Sequence, residues 1–277
     1  KTCLLEREED LFEPYRTLHK VLEELSPRFI GITSTTPIFP EVAALSRIIN
    51  NHLGSRTKLI IGGPHASALP EEALKQSCFD ILVFGEGEGA LVEILQEKPL
   101  REITGIYYKE ERNIFKTEPR EMTVNLDSLP FPAFDLYDIK RYKCPRFLSR
   151  FSPLSNYMTS RGCVYECTFC NKNIFGRRFR TRSPELVIEE MEYMLRSGIK
   201  EIRIIDDMLT TDMERSKTIF RLVLKKGLKF PWTLAGGIRV DNLDEEFLKL
   251  AKKAGIYEVG FAFESGDQKS LDSINKR

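Results

Sequence analysis

Short apolar runs alternate with amphipathic segments over residues 1–100. Apolar residues recur at helical spacing in residues 11–25 and 40–53, which predicts two helices, and shorter helices are expected over 70–76 and up to Gln96. The runs between them predict strands at FIGIT (29–33), KLIIGG (58–63) and DILVFGEGE (80–88). Short continuous apolar strands separated by helices are typical of a parallel sheet that is covered on both faces.

The pattern changes over residues 101–152 and then resumes. GIYYKEERNIFK (105–116) predicts a hairpin, and LDSLPFPAFDLYD (126–138) predicts an ordered linker because its prolines disfavour a regular helix or a central strand. Further strands are predicted at NYMTS, EIRIIDD, WTLAGG and EVGFAFESG, with helices beginning near Ser183, Met213 and Asp244. Strand–helix units in series predict the start of a parallel (β/α) barrel over residues 153–277.

The composition and net charge of the chain bear on which kinds of partner it binds. The 277 residues are 42% hydrophobic and 30% charged with a formal net charge of +1, so neither nucleic acid nor a membrane surface is favoured. The sequence has no apolar run of about 18 residues, which a membrane span would need. The chain begins at Lys1 without a signal-peptide pattern. We expect this chain to be a fragment of a longer protein, with segments missing at both of its ends.

Three of the six cysteines are scattered along the chain. Cys3, Cys78 and Cys144 lie in unrelated contexts, whereas a disulfide framework is typical of small secreted chains. We therefore predict three unpaired thiols in a reducing cytoplasm.

The other three cysteines are close together in CVYECTFC. Cys163, Cys167 and Cys170 can hold one metal centre, but they leave a four-iron cluster one ligand short. An iron without a protein ligand is a place for a substrate or cofactor to bind. The alternative is a structural zinc site, which usually needs four ligands, and the three histidines of the chain are far upstream.

CVYECTFC after the first strand of a parallel barrel resembles the motif of the radical S-adenosylmethionine (SAM) enzymes. The resemblance implies that the three cysteines hold a [4Fe–4S] cluster whose open iron is chelated by the amino and carboxylate groups of SAM. Reductive cleavage of SAM then gives methionine and a 5′-deoxyadenosyl radical. The resemblance covers residues 153–277.

The resemblance also implies SAM contacts, each of which has a simpler interpretation. Phe169 matches the aromatic position beside adenine, and Asp206 or Asp207 matches the acceptor of the SAM ammonium group, although both could cap a helix. Arg239 could bind the SAM carboxylate or be a surface arginine. Glu264 and Ser265 match the position that contacts ribose, or form a turn before a helix.

Polar and glycine residues also follow the strands of the first sheet. Ser34, Thr36, Gly62 and Gly63 resemble the S-x-T…GG pattern of the Rossmann-like cobalamin-binding domain, in which they surround the nucleotide tail of the cofactor. The alternative is an ordinary doubly wound sheet with glycine turns. The D-x-H-x-x-G segment of that family is absent, and we predict that His65 is a polar loop histidine and not a cobalt ligand.

The sequence thus predicts a cobalamin-dependent radical SAM enzyme of the α/β class. The expected organisation is a Rossmann-like cobalamin-binding domain (1–100), a hairpin and linker (101–152) and a partial (β/α) radical SAM barrel (153–277). The expected activity is methylation of an unactivated carbon in a small molecule or natural product, with flavodoxin or ferredoxin as electron donor. The alternatives are a radical SAM cyclase, oxidoreductase or methylthiotransferase, or a corrinoid or iron–sulfur carrier that only binds.

Overall fold

The computed structural model describes residues 12–136, 138–142 and 144–276. It divides into two units, residues 1–122 and 123–277. Cys3 and the predicted start of the first helix at Leu11 lie outside the described residues. The predicted α/β class is confirmed.

The first unit contains a five-stranded sheet. Its order is β1 (Phe29–Thr33), β2 (Lys58–Gly62), β3 (Ile81–Val83), β4 (Ile106–Glu110) and β5 (Asn113–Lys116). The first three strands are parallel. The predicted hairpin, β4–β5, pairs antiparallel with β3 and extends the same sheet.

Helices cover both faces of this sheet. They are α1 (Phe12–Leu25), α2 (Phe39–Leu53), α3 (Pro64–Ala68), α4 (Pro70–Lys75) and α5 (Glu88–Leu95). Along β2, Leu59 and Ile61 belong to one buried cluster and Ile60 to the other. Successive strand residues face opposite sides of a sheet, so the continuous apolar run of β2 fills two cores.

The third strand is shorter than the sequence predicts. The predicted segment 80–88 forms a strand only at Ile81–Val83. Asp80 instead accepts a hydrogen bond from the backbone N–H of Leu59 at 2.8 Å, and Gly85 turns the chain out of the sheet at a φ of +72°.

The second unit contains a four-stranded parallel sheet. Its order is β11 (Ile256–Phe261), β10 (Trp232–Ile238), β9 (Glu201–Ile204) and β6 (Leu154–Tyr157). The helices α6 (Pro184–Arg196), α7 (Met213–Lys225) and α8 (Glu245–Lys253) pack with these strands into one core, and α9 (Gln268–Ser273) follows β11. This is the predicted series of strand–helix units, and Trp232, Phe220 and Phe247 are fully buried in its core.

Helix starts in the second unit follow the sequence pattern. Pro184 is the first residue of α6, as predicted, although the side chain of Ser183 makes no capping bond. Asp212 and Asp244 cap α7 and α8 by accepting from the backbone N–H of Arg215 and Phe247. Among the residues that the structure describes, none of the helices combines the length and the hydropathy that a membrane crossing requires.

Candidate functional site

The cysteine motif lies in a loop that a short ladder closes. β7 (Ser160–Arg161) pairs antiparallel with β8 (Arg180–Thr181), so the ends of the loop are held together. Gly162 follows β7 at a φ of +85°, and a Cβ there would overlap the carbonyl of Arg178. Glycine is therefore required where the chain enters the motif.

The three thiols are near one another but do not converge on one point. Cys163 and Cys167 are half-buried and Cys170 is exposed, and all three are free thiols. Partial burial raises the pKa of Cys170, the cation of Lys172 lowers it, and the other two thiols raise it. Within the described ranges, no three histidine, cysteine or carboxylate side chains are close enough together to hold a single ion.

This donor set fits a cluster better than a single zinc ion. In a four-iron cluster each thiolate binds its own iron, so the sulfur atoms surround the cluster without meeting at one point. A solvent-open cavity of about 490 Å³ lies at the motif, and its lining includes Cys167, Cys170 and Lys172. Lys172 Nζ also binds the Cys163 and Tyr165 carbonyl oxygens, which braces the loop.

Asp206 is wholly engaged by its neighbours. It is 1% exposed, and its carboxylate accepts from the Thr159 backbone N–H at 2.5 Å, the Thr159 hydroxyl at 2.6 Å and the Ser160 hydroxyl at 2.5 Å. Burial raises the pKa of Asp206, while these bonds and the nearby Arg215 lower it. Asp206 therefore fixes the chain between β6 and β7, directly before the motif.

Asp207 has a different environment. It is exposed, and its Oδ2 accepts from the backbone N–H of Gly162 at 2.9 Å, at the entrance of the cysteine loop. Its charge also acts on Cys170 and raises the pKa of that thiol. Of the two adjacent carboxylates, Asp207 is the one that a ligand at the thiols can reach.

The environments of Asp206 and Asp207 predict that one substitution mainly affects stability and that the matched one mainly affects SAM binding. Asp206→Asn should lower the free energy of unfolding by about 2–4 kcal/mol, because the amide nitrogen cannot accept a hydrogen bond and would face either the Thr159 backbone N–H or the two hydroxyl groups. Asp207→Asn should change it by less than about 0.5 kcal/mol and weaken SAM binding about tenfold. Urea unfolding and anaerobic equilibrium dialysis with SAM measure the two effects. Equal effects of both substitutions on SAM binding would contradict this assignment.

Arg239 is a buried cation and not a surface residue. It is 6% exposed, and its guanidinium binds Asp241 at 2.7–3.2 Å and lies 4.3 Å above the Tyr165 ring in the cysteine loop. The Asp241 carboxylate raises the pKa of Arg239, and the Cys167 thiol contributes in the same direction. The structure thus brings Arg239 to the motif.

The segment after β11 also reaches the cysteine loop. The Thr168 backbone N–H donates to the Ile274 carbonyl at 3.0 Å, and Asn275 Nδ2 donates to the Glu166 carbonyl at 3.2 Å. Glu264 follows the strand at a φ of +59° and pairs with Lys276 at 2.8 Å. The predicted fourth strand ends at Phe261 and not at Gly266, and the left-handed backbone of Glu264 is incompatible with a strand that continues to Gly266.

The remaining predicted SAM residues are less constrained. Phe169 is 57% exposed beside Cys170, and the Ser265 hydroxyl accepts from the Asp267 backbone N–H at 3.0 Å. Ser265 thus forms the turn before α9, and its position relative to Glu264 is set by that turn.

Sequence reasoning missed the residues that support the loop. Arg215 is buried, donates to the Thr159 and Arg182 carbonyl oxygens, and approaches the Thr159 hydroxyl at 3.3 Å. Arg182 in turn pairs with the buried Glu190 at 3.2 Å, and Tyr157 donates to the same carboxylate at 2.9 Å. The available signal was the pair Arg180 and Arg182 directly before the amphipathic helix α6, which contains Glu190 among its apolar residues.

The polar residues of the first unit meet at the ends of β1 and β2. Ser34 is 1% exposed, its backbone N–H donates to the Gly62 carbonyl at 3.1 Å, and its carbonyl accepts from the His65 N–H at 3.0 Å. The Thr36 hydroxyl lies 3.3 Å from His65 Nδ1. The structure thus brings Ser34, Thr36 and Gly62 together.

Gly62 and Gly63 differ in why a glycine suits each position. Gly63 has a φ of +93°, and a Cβ there would overlap the Thr33 hydroxyl and lie 3.0 Å from the Ser34 carbonyl oxygen. Packing within the sheet therefore requires Gly63. A Cβ at Gly62 would meet only the Val83 carbonyl, at the ordinary distance of 3.7 Å, so neighbouring protein atoms leave room there. That room, together with the hydroxyls, fits a ligand at this edge.

Comparison with known proteins identifies two domains. Residues 10–95 match the B12 binding domain, and residues 157–277 match the Radical SAM superfamily. An uncharacterised methyltransferase of Pyrococcus horikoshii is 32% identical over 95% of this chain and 57% of its own length. Cytidylyl-2-hydroxyethylphosphonate methyltransferase of Streptomyces wedmorensis is 31% identical over 93% of this chain and 54% of its own length.

Less similar relatives include a different activity. The anaerobic magnesium-protoporphyrin IX monomethyl ester cyclase of Cereibacter sphaeroides is 24% identical over 95% of this chain and 44% of its own length. The chain therefore spans about half the length of the curated relatives that it matches.

Solved structures share the fold. The radical SAM methyltransferase TsrM of Kitasatospora setae, solved with cobalamin and a [4Fe–4S] cluster, has a TM-score of 0.75 at 20% identity, covering 95% of this chain and 53% of its own. The cobalamin-dependent SAM radical enzyme OxsB, solved with aqua-cobalamin and SAM, has a TM-score of 0.73 at 24% identity, covering 94% of this chain and 39% of its own. At these identities the likeness establishes the fold alone.

Proposed function

Because the chain carries a B12 binding domain followed by a domain of the Radical SAM superfamily, we propose that it acts as a cobalamin-dependent radical SAM methyltransferase. The observation that carries this proposal is the three-thiol loop with Asp207 bound at its entrance. Three thiols and an accessible carboxylate match the ligand needs of a cluster with one open iron and of the SAM amino group.

Each residue near the loop has a proposed role. Cys163, Cys167 and Cys170 ligate three irons, Asp207 accepts from an N–H of the SAM amino group, and Arg239 offers its cation to the SAM carboxylate. When bound, the cluster supplies reductive cleavage of SAM to a 5′-deoxyadenosyl radical, and cobalamin supplies a methyl group.

The outer parts of the SAM molecule have proposed contacts as well. Phe169 contacts adenine, and Glu264 with Ser265 faces the ribose. Asp206 positions the chain before the loop rather than binding SAM, because its carboxylate is already occupied by Thr159 and Ser160.

The first unit is proposed to hold the cobalamin. Ser34, Thr36, Gly62 and Gly63 meet at the ends of two parallel strands, which is where ligands bind to sheets of this kind. Cobalamin carries many polar groups, and the hydroxyls of Ser34 and Thr36 can bind them.

Methyl transfer is the proposed outcome because two relatives above 30% identity carry methyltransferase names. Cyclisation is the second candidate, favoured by the cyclase relative at 24% identity. A methylthiotransferase generally needs further cluster ligands in its first domain. In the described part of the first unit, Cys78 is a single free thiol and provides no such set.

The proposed substrate is a small molecule that binds the polar face of the second sheet. Asn156, Arg203, Thr233 and Glu258 are paired across its four strands in one row. The neighbouring rows contain Ile202, Trp232 and Leu234, which pack on the helices, so strand alternation directs the polar row to the other face. We propose flavodoxin or ferredoxin as the electron donor and the cytoplasm as the location.

The test is an anaerobic incubation of the reconstituted protein with cobalamin, a reductant and SAM that carries a trideuterated methyl group. The proposal predicts 5′-deoxyadenosine and labelled methylcobalamin, both measured by mass spectrometry. 5′-Deoxyadenosine without label on cobalamin would favour the cyclase. Absence of both products would favour a carrier that only binds.

A further inference from the structure

His65 is a buried polar residue with one side unsatisfied. The sequence predicts a polar loop histidine, but His65 lies in α3 and is 2% exposed. Its ring stacks on Phe39 with 3.9 Å between centroids, and Nδ1 lies 3.3 Å from the Thr36 hydroxyl. Its Nε2 is buried without a hydrogen-bond partner in the described structure. Pro64 explains the helix, since proline at the first position favours a helix start.

This arrangement is costly if nothing binds to Nε2. A buried polar atom without a partner loses its hydration and gains nothing in exchange. Burial also lowers the pKa of His65, so the ring is neutral and carries one donor and one acceptor nitrogen. The Thr36 hydroxyl can either donate to or accept from Nδ1. Nε2 is therefore able to bind a donor or an acceptor.

His65 is attached to the proposed cobalamin residues from two directions. Its backbone N–H donates to the Ser34 carbonyl at 3.0 Å, and its ring approaches Thr36. Phe39 and Thr36 thus fix the ring plane and occupy one nitrogen. What remains is a pre-oriented Nε2 among residues that resemble the nucleotide-tail pocket of cobalamin-binding domains.

We propose that His65 Nε2 forms a hydrogen bond with a polar group of the nucleotide tail of cobalamin and so selects complete corrinoids over those without the tail. This inference rests on the proposed cobalamin binding. It assigns His65 neither to the cobalt nor to the corrin ring. A neutral, immobilised imidazole discriminates strongly, because a corrinoid that lacks the tail leaves Nε2 buried and unpaired.

The experiment compares cobalamin with cobinamide, which has the corrin ring but no nucleotide, by anaerobic equilibrium dialysis of the whole chain. His65→Phe retains an aromatic ring against Phe39 and removes both nitrogens. It should weaken cobalamin binding about tenfold to a hundredfold and leave cobinamide binding unchanged. His65→Gln, which keeps a polar end, should bind cobalamin more tightly than His65→Phe. His52→Phe, a histidine outside this cluster, is the matched control and should bind both corrinoids as the parent chain does.

Two further measurements distinguish the proposed hydrogen bond from misfolding of the variant and from ligation of the cobalt by His65. The apoprotein with His65→Phe should melt at or above the temperature of the parent chain, because an unpaired buried nitrogen is removed. The electron paramagnetic resonance spectrum of bound cob(II)alamin should not change with His65→Phe. A lost nitrogen splitting would assign His65 to the cobalt and overturn the proposal.

The binding results can also overturn it. Equal weakening of both corrinoids would place the contact on the corrin ring, and unchanged cobalamin binding would show that cobalamin makes no hydrogen bond with Nε2. If the parent chain binds cobinamide and cobalamin equally, the proposed selectivity is wrong although corrinoid binding stands. If it binds neither, the proposed cobalamin function fails together with this inference.

Discussion

Replacing any one of Cys163, Cys167 and Cys170 with alanine should reduce the iron and sulfide of the anaerobically reconstituted protein from about four each per chain to less than about one. In the proposed site each thiolate is the protein ligand of a different iron, and two ligands do not hold a four-iron cluster stably. Formation of 5′-deoxyadenosine should fall to the level of the protein-free blank. Iron and sulfide assays and the visible absorbance of the cluster measure the effect.

Cys144→Ala is the matched control in the same unit, and Cys78→Ala is the control in the first unit. Both residues are free thiols outside the CVYECTFC motif and should leave iron and sulfide unchanged. Full iron and sulfide in a Cys167→Ala protein would contradict the cluster assignment. One tightly bound zinc per chain in the parent protein would restore the zinc alternative.

Gly63→Ala should have the largest effect in the first unit. Gly63 adopts a φ of +93° and a ψ of −171°, a region that costs an alanine about 1–3 kcal/mol. Its Cβ would also overlap the Thr33 hydroxyl, and such overpacking adds about 1–3 kcal/mol. We expect loss of cobalamin binding and a clear fall in the urea midpoint of the first unit. Hydrogen exchange of the β2 amides monitors the unfolding of that unit.

Gly54→Ala separates the two contributions. Gly54 has a φ of 64° and a ψ of −156°, so it carries the same backbone cost, but a Cβ there would meet nothing within 4 Å. The free energy of unfolding should fall less in this variant than in Gly63→Ala, because the overpacking contribution is absent. The variant should still bind cobalamin. Equal destabilisation by the two substitutions would mean that the contact with Thr33 and Ser34 is relieved at little cost.

The sequence predicts elements well where the apolar runs are continuous. β2 and β9 are found where KLIIGG and EIRIIDD predict them, because both faces of β2 and the helix face of β9 are buried. The β7–β8 ladder was not predictable, since strands of two residues have no readable period. The ends of β3 and β11 were predicted too long because residues after them turn at a positive φ.

The site is harder to predict than the fold, because identical neighbouring residues can have different surroundings. Asp206 and Asp207 are neighbouring acidic residues that both follow the end of β9, yet Asp206 is buried and Asp207 is exposed. The buried one is occupied by Thr159 and Ser160, which lie 47 and 46 positions away in the chain. For the same reason Arg239 was open to two interpretations until its contacts with Asp241 and Tyr165 were known. Long-range contacts of this kind leave no local pattern.

In the proposed site the cysteine loop holds a cluster with one open iron that binds SAM. The most direct measurement is the electron paramagnetic resonance spectrum of the dithionite-reduced protein, recorded with and without SAM labelled with ¹⁵N in its amino group. We expect a [4Fe–4S]⁺ signal whose g values change when SAM is added, together with a ¹⁵N coupling that is weakened in Asp207→Asn. A signal that SAM leaves unchanged, without nitrogen coupling, would contradict the proposed site.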